Sequence, residues 1–293
     1  MKNLFQIIGI ITLVSLSCQS YSQTQLYVPD RVLSPGFTEK NEAMFLVHVK
    51  PSVTENPNDD WMSTPSPSDY TLNFHPGISM ACAPLPHIAI IGSYNWLINK
   101  GRDVDPTFLS QSNSGVYYGG KVEVGVGYYM TYGTKGLLEV YGTYGNGGLN
   151  SKSSYKYQQG PAYSSSYVNQ DFQGRYHAYS LQLATGLHSK NVTLKGGMKY
   201  TVQQYYSFNY DDVMADNNAA SDMKQAYIIH SFSHYIQPYV DLDAGGKLFR
   251  FNIQAGIISP VTGASISIDG TRFYMTLGIG LRYKPSEFNM GRH

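Results

Sequence analysis

The chain has 293 residues, of which 14% are charged and 14% aromatic, and its formal net charge is +1. Such a balanced charge lacks the positive surface that nucleic-acid binding requires, so we expect no nucleic-acid partner. The mean hydropathy is −0.27, and no run of roughly 18 apolar residues occurs, which excludes a helical membrane protein.

The first residues have the pattern of a targeting segment. Lys2 supplies a positive start, and residues 4–16 form an apolar stretch that is too short to span a bilayer. Residues 1–22 are therefore predicted to be a signal peptide. Small residues before Gln23 suit the general signal peptidase, whereas the sequence Ser-Leu-Ser before Cys18 resembles a lipobox, in which Cys18 would be acylated. Both alternatives leave Cys82 without a disulfide partner.

Residues 23–38 are expected to form an extended periplasmic segment, followed by β-strands over residues 39–284 and a tail at 285–293. Ten alternating segments are separated by connections that are short on one side and long on the other, with Gly, Pro, Asn, Asp and Ser in the breaks. This rhythm predicts an all-β, antiparallel up-and-down transmembrane β-barrel of about ten strands in the bacterial outer membrane. The predicted strands are 42–50, 70–81, 87–97, 116–131, 137–145, 176–188, 191–206, 226–244, 247–258 and 272–283. The short turns are 84–86, 133–136, 189–190 and 245–246, and the longer connections include 98–115, 146–173 and 207–221.

Alternation within strands separates two faces. Residues Phe249, Phe251 and Ile253 point one way, while Arg250 and Asn252 point the other, because successive strand side chains face opposite sides. A soluble lipocalin-like barrel or sandwich would also alternate. Its solvent face, however, would carry more charge and less glycine than the polar face of this chain, which favours a polar lumen.

Turn lengths predict the hairpin registers. A two-residue turn at residues 245–246 pairs Leu242 with Phe249 and places Asp241 opposite Arg250, and a turn at residues 189–190 pairs Leu187 with Val192. We expect Lys195 and Lys199 on the preceding strand to share the carboxylates of Asp241 and Asp243.

Tyrosine is abundant, with 26 residues. Tyrosines at strand ends are typical of the aromatic girdles of outer-membrane barrels, although tyrosine also favours strands in general. The predicted girdle residues are Tyr94, Tyr128, Tyr129, Tyr144, Tyr205, Tyr206 and Tyr283.

Two parts of the chain carry a resemblance. The stretch Tyr-Val-Pro-Asp at residues 27–30 is followed by Glu-Lys-Asn-Glu at 39–42, and Ile-Gln-Pro at 236–238 leads through Asp-Ala-Gly-Gly-Lys at 243–247 into residues 249–256. These stretches resemble uncharacterised outer-membrane β-barrel proteins of Bacteroides-type bacteria, many of which carry a lipoprotein-type signal. The resemblance implies a barrel in the outer membrane, with a lipid anchor as one of the two alternatives at the N-terminus, and no particular activity.

The lumen-facing charges have mixed signs, and mixed charges on neighbouring strands should pair and close the lumen. The sequence therefore predicts a non-enzymatic barrel with a lumen filled by side chains, a structural or interaction protein acting through its extracellular loops or an envelope partner. A small pore or ligand carrier is the alternative, and the closed barrel is favoured over it because open channels usually need more strands. The predicted lumen charge network consists of Lys121, Glu123, Glu139, Lys195, Lys199, Asp241, Asp243, Arg250 and Arg282.

A third hypothesis is a protease of the omptin type, which needs acidic residues and a histidine at the extracellular rim of the barrel. Asp59, Asp60 and the pair at residues 211–212 lie in predicted outer connections, with His230 and His234 on a nearby strand. Loop aspartate pairs are common turn formers, and two histidines four residues apart on a strand are too far apart to share one metal ion. We therefore expect no catalytic residue, metal or cofactor, and as partners the outer-membrane lipid, the barrel-assembly machinery during biogenesis, and an unidentified ligand or envelope protein.

Overall fold

The computed structural model describes residues 31–55, 70–103, 113–157, 166–212, 232–262 and 272–288. Ten antiparallel strands form a closed barrel in which sequence neighbours pair and the last strand pairs with the first. This confirms the predicted fold class. The strands are β1 (Ala43–Glu55), β2 (Tyr70–Leu85), β3 (Ile88–Asp103), β4 (Asn113–Tyr132), β5 (Gly136–Tyr157), β6 (Ser166–His188), β7 (Val192–Asp212), β8 (Phe232–Gly245), β9 (Phe249–Thr262) and β10 (Arg272–Tyr283), followed by the short helix α1 (Pro285–Phe288).

The two faces of the sheet are chemically opposite. Phe251 and Leu277 lie on the outside and are 63% and 41% exposed, whereas their neighbours Asn252 and Thr276 are buried in the lumen. A soluble barrel would direct the apolar face inward. Closure of the barrel leaves no sheet edge exposed to lipid, and the outer face is apolar. A bilayer requires both features of a β-structure that spans it. The protein is accordingly a β-barrel of the bacterial outer membrane. Within the described ranges, no helix is long and apolar enough to span a membrane.

Several strands extend further than their sequence pattern indicated. The predicted connection at residues 146–173 is largely strand, since β5 and β6 remain paired as far as Tyr157 and Ser166. Likewise β3 and β4 pair out to Asp103 and Asn113. These extensions are rich in Gly, Ser, Asn and Tyr and lack apolar alternation, because the pattern marks only strand segments with one face against lipid. Once two strands are paired, their backbone hydrogen bonds continue beyond the lipid-facing segment.

The two predicted hairpin registers were wrong. Leu242 faces Ile253 rather than Phe249, and Leu187 faces Leu194 rather than Val192. Both turns lie further along the chain than predicted. The register centres the β8–β9 turn on Lys247 and Leu248, where the Gly246 amide donates to the Phe249 carbonyl, and the β6–β7 turn on Lys190 and Asn191. Both displacements are by an even number of residues, so each side chain keeps the face that was predicted for it.

Much of the predicted aromatic girdle lies on the outer surface, but two positions differ. Tyr129 points into the lumen, because it follows the outward-facing Tyr128 directly on the strand. Tyr205 contacts the buried Tyr176 at a register irregularity between β6 and β7. On the outside, tyrosines pair with histidines: Tyr144 with His177 at 2.8 Å and Tyr200 with His234 at 2.7 Å between hydroxyl and Nδ1.

Residues 31–38, which we call the lumenal segment, lie inside the barrel. Residues 31–37 are buried, which corrects the expectation that this part of 23–38 extends into the periplasm. The segment has no regular secondary structure and reaches β1 through a turn in which Asn41 has a φ of 64°. Asparagine tolerates this left-handed conformation, which reverses the chain so that β1 can pair with both neighbours.

Some predictions lie outside the described residues. These are the signal peptide at 1–22, the acylation of Cys18, the residues 23–30 of the predicted periplasmic segment, the aspartates Asp59 and Asp60, His230, and the tail residues 289–293. Cys82 is described, and it is exposed on the outer face of β2 with a free thiol.

Candidate functional site in the barrel lumen

The backbone of the lumenal segment is held by amide side chains of the barrel wall. Gln254 on β9 makes two hydrogen bonds to Val32: its Oε1 accepts from the Val32 amide at 2.9 Å, and its Nε2 donates to the Val32 carbonyl at 2.8 Å. Gln182 on β6 donates to the Leu33 carbonyl at 2.9 Å. Since these amides are buried, the bonds satisfy backbone groups that would otherwise be costly in a closed lumen.

Charged side chains hold the next part of the segment. Glu139 on β5 accepts from the Gly36 amide at 2.9 Å and from the Ser34 hydroxyl. Lys195 donates to the Ser34 carbonyl, and Arg282 donates to the Gly36 carbonyl at 2.7 Å. The residue between Ser34 and Gly36 is a proline, which has no amide hydrogen to satisfy.

Arg31 carries the only formal charge within residues 31–38. Its guanidinium lies 3.4 Å from Asp241 and donates to the Asn252 side chain at 2.5 Å. Asp241 is fully buried, and Lys195 approaches its second carboxylate oxygen at 3.1 Å. Asp241 therefore has one cationic partner from the segment and one from the barrel wall.

Apolar contacts anchor the segment at both ends. Leu33 and Phe37 belong to one buried cluster, where the Phe37 ring meets Tyr129 edge to face at 5.9 Å. Val32 belongs to a second cluster formed with residues of β6, β8, β9 and β10. Gly36 has a φ of +68°, so any other residue there would be strained, and an added Cβ would also lie 3.4 Å from Lys195 Nζ.

An ion-pair network closes the end of the lumen at the short turns. Arg250 Nε donates to Asp243 at 2.9 Å. Arg282 contacts Glu42 at 2.6 Å and lies 3.8 Å from Asp243. Glu42 also accepts from the amide and hydroxyl of Thr38, so the network fixes the point where the lumenal segment leaves the barrel.

A second network lies further along the strands. Lys121 on β4 contacts Glu123 at 2.6 Å, and Lys199 on β7 contacts the same carboxylate at 2.6 Å. Two strands separate β4 from β7 in the barrel, so the Lys199 contact spans the lumen rather than following the wall. Thr143 also donates to Glu123 at 2.6 Å.

Every residue of the predicted charge network is buried in the lumen, but the pairing differs from the prediction. Asp241 was expected opposite Arg250, whereas it pairs with Lys195 and Arg31, and Arg250 pairs with Asp243. Lys199 reaches Glu123 instead of the β8 carboxylates. The change follows from the position of the β8–β9 turn, which lies two residues further along the chain than predicted and places Gln254 opposite Asp241.

The contributions of the lumenal segment and of neutral polar residues were not predicted from the sequence. Arg31 and Glu42 were outside the predicted network, and Gln182, Asn252 and Gln254 were assigned to the polar face without a role. The alternation already placed these amide side chains on the inward face. Since buried polar groups are nearly always hydrogen-bonded, their recurrence there indicates that they have hydrogen-bond partners in the lumen. No pattern indicated that residues 31–37 would supply the partners.

Arg31 adds a cation to the charges that hold the segment and its entry turn. The wall and the entry turn contribute four carboxylates (Glu42, Glu139, Asp241 and Asp243) and three cations (Lys195, Arg250 and Arg282), so four minus three leaves one negative charge, which Arg31 offsets. Among the described residues, no group of three or more His, Cys, Asp or Glu side chains is placed to hold a metal ion.

Comparisons with known proteins give likeness in structure alone. No family model matches the chain, and no curated protein sequence matches it. Among solved structures, the chain is similar to the outer membrane protease OmpT from Escherichia coli (11% identity, 86% of this chain and 98% of that chain, TM-score 0.46). It is also similar to the translocator domain of autotransporter NalP from Neisseria meningitidis (9%, 85% and 90%, 0.47) and to the attachment invasion locus protein Ail of Yersinia pestis (10%, 84% and 100%, 0.31).

Proposed function

We propose that this protein is a non-enzymatic outer-membrane barrel with a closed lumen, which acts as a structural or interaction protein through its extracellular connections or an envelope partner. The observation that carries the proposal is the filling of the lumen by the chain itself. The lumenal segment and the two ion-pair networks hold the predicted charged side chains buried, in ion pairs or hydrogen bonds. A conducting path would need these groups to be hydrated.

The architecture also supports a closed state. About ten strands enclose an interior that side chains can fill, whereas water-filled porins use 16 or more strands. In this barrel the Lys199–Glu123 contact crosses the lumen, so the side chains obstruct it in addition to the segment. The function of such a barrel lies at its surfaces.

Conductance in a planar bilayer tests this proposal. The purified protein is inserted, insertion is verified by heat-modifiable migration on a gel, and currents are recorded. We expect no stable single-channel steps. A variant lacking residues 31–38 serves as the comparison. A current that only this variant shows is attributable to the loss of the segment from the lumen. Stable steps from the unaltered protein would contradict the proposal and favour a small pore.

A peptide-cleavage assay addresses the enzymatic alternative. Asp211 and Asp212 lie in β7, where their backbone pairs with Asp171 and Gln170 of β6. We expect no cleavage of a mixed peptide library by the protein in vesicles. Cleavage that is abolished in the Asp211→Asn, Asp212→Asn double variant would contradict the non-enzymatic assignment.

A further inference from the structure

The lumenal segment is bound by the barrel in the way that a protein binds a separate peptide. It forms no part of the sheet: the barrel closes through β1 and β10, which pair from Ala43–Tyr283 to Val49–Leu277 without it. Its covalent link to the barrel is the turn before β1, where Lys40 and Asn41 are exposed. The fold of the sheet therefore does not depend on the peptide bonds of the segment.

Hydrogen bonds from side chains of the barrel wall recognise the backbone of the lumenal segment as well as its side chains. Wall side chains bond to both polar groups of Val32, to the carbonyls of Leu33 and Ser34, and to both polar groups of Gly36. The segment is thus held without adding a strand to a sheet edge, the arrangement in which backbone bonds to the sheet would supply the affinity. A strand inside a fold would instead use backbone partners.

The contacts also define a sequence. Asp241 and Asn252 select a cation at the first position, and Glu139 accepts from the hydroxyl of Ser34. The two apolar clusters contain the side chains of Val32 and Leu33, which follow the cation, and of Phe37 at the end of the segment. Positive φ at Gly36 selects glycine. The chain's own sequence at this site is Arg-Val-Leu-Ser-Pro-Gly-Phe.

From these contacts we propose that the lumen near the short turns is a binding site for a non-helical peptide with a cation followed by two apolar residues, a small hydroxyl residue, proline, glycine and phenylalanine, and that such a peptide can occupy it in trans. The chain's own residues 31–37 fill the site in the described structure. A second copy of this segment would bind by the same contacts. This goes beyond the proposed closed-barrel function.

The test uses the full chain with a specific protease site inserted between Lys40 and Asn41. The folded protein is cleaved in detergent, and a fluorescent synthetic peptide with the sequence of residues 29–40 is added. We expect saturable uptake, measured by anisotropy, with displacement of the cleaved segment detected by native mass spectrometry. If the original segment does not leave on its own, the cleaved protein is unfolded in urea and refolded with an excess of the labelled peptide.

Matched variants test the recognition itself. A peptide carrying Arg31→Glu should bind at least about tenfold more weakly, because it places a carboxylate beside Asp241. In a barrel carrying Asp241→Asn, this difference between the two peptides should shrink. A scrambled peptide should not bind. Absence of uptake by both routes, or equal uptake of the scrambled peptide, would overturn the proposal. Channel currents from the intact protein would contradict the closed-barrel function and leave this result unaffected.

Discussion

Replacing Asp241 with asparagine removes the carboxylate that two cations share. The Asp241 carboxylate is fully buried, at 3.1 Å from Lys195 and 3.4 Å from Arg31. Asparagine has nearly the same shape and can keep a hydrogen bond to Asn252, so the change isolates the charge. It leaves both cations in the lumen without their carboxylate.

The structure sets the expected magnitude. Breaking a buried ion pair by removing one partner costs roughly 3–5 kcal/mol. Lys195 keeps the Ser34 carbonyl and Arg31 keeps the Asn252 side chain, so we expect a loss near the lower end, about 3 kcal/mol. A neutral lumen hydrogen bond supplies the scale for comparison: Ser180→Ala removes the 2.9 Å bond to Thr201, which should cost about 1 kcal/mol.

Equilibrium urea unfolding in phospholipid vesicles measures these differences, with the fluorescence of the two tryptophans as the signal. The double variant Asp241→Asn, Lys195→Met should lose less stability than the sum of the single variants, because it no longer buries the Lys195 charge. A loss for Asp241→Asn no larger than that for Ser180→Ala would refute the reasoning, since it would mean that water already screens these charges.

Three further predictions address the wall and the orientation of the barrel. Leu183→Arg on the outer face of β6 should cost roughly 2–4 kcal/mol by urea unfolding, while Leu187→Arg near the turn should cost about 0–1 kcal/mol; equal costs would contradict the placement of the lipid band. Gly127→Ala should destabilise by about 1–3 kcal/mol, since the new Cβ would lie 2.1 Å from a carbonyl oxygen of β5, whereas Gly142→Ala, with no atom within 4 Å, should be neutral; the reverse order of stabilities would disprove this packing. An epitope inserted at Thr134 in the β4–β5 turn should bind antibody only after the outer membrane is permeabilised, and labelling of intact cells would invert the topology.

The barrel itself could be predicted from the sequence because lipid imposes a simple rule. Alternation on β9 and β10 assigned Phe251, Asn252, Thr276 and Leu277 to the faces that they occupy. Strand ends beyond the lipid zone could not be predicted in the same way, since the apolar alternation in the sequence disappears there. The pairing of Tyr157 with Ser166 shows how far the ladder continues.

The candidate site was predictable in part. The inward charges followed from alternation, but their partners depend on the position of the turn, and a turn two residues further along the chain moved Gln254 into the place expected for Arg250. The position of residues 31–37 depends on tertiary fit: one cation, two apolar clusters and a glycine that match the lumen. Such complementarity exists only between parts of the chain that are distant in sequence, so no local sequence pattern predicts it.

The most direct measurement of the central claim, that the N-terminal segment occupies the lumen, is hydrogen exchange of its backbone amides followed by mass spectrometry. The Val32 amide donates to Gln254 and the Gly36 amide donates to Glu139, both inside the closed barrel. We predict that peptides covering residues 31–38 exchange as slowly as those from the strands. Exchange at the rate of an unstructured peptide would place the segment outside the lumen and contradict the account.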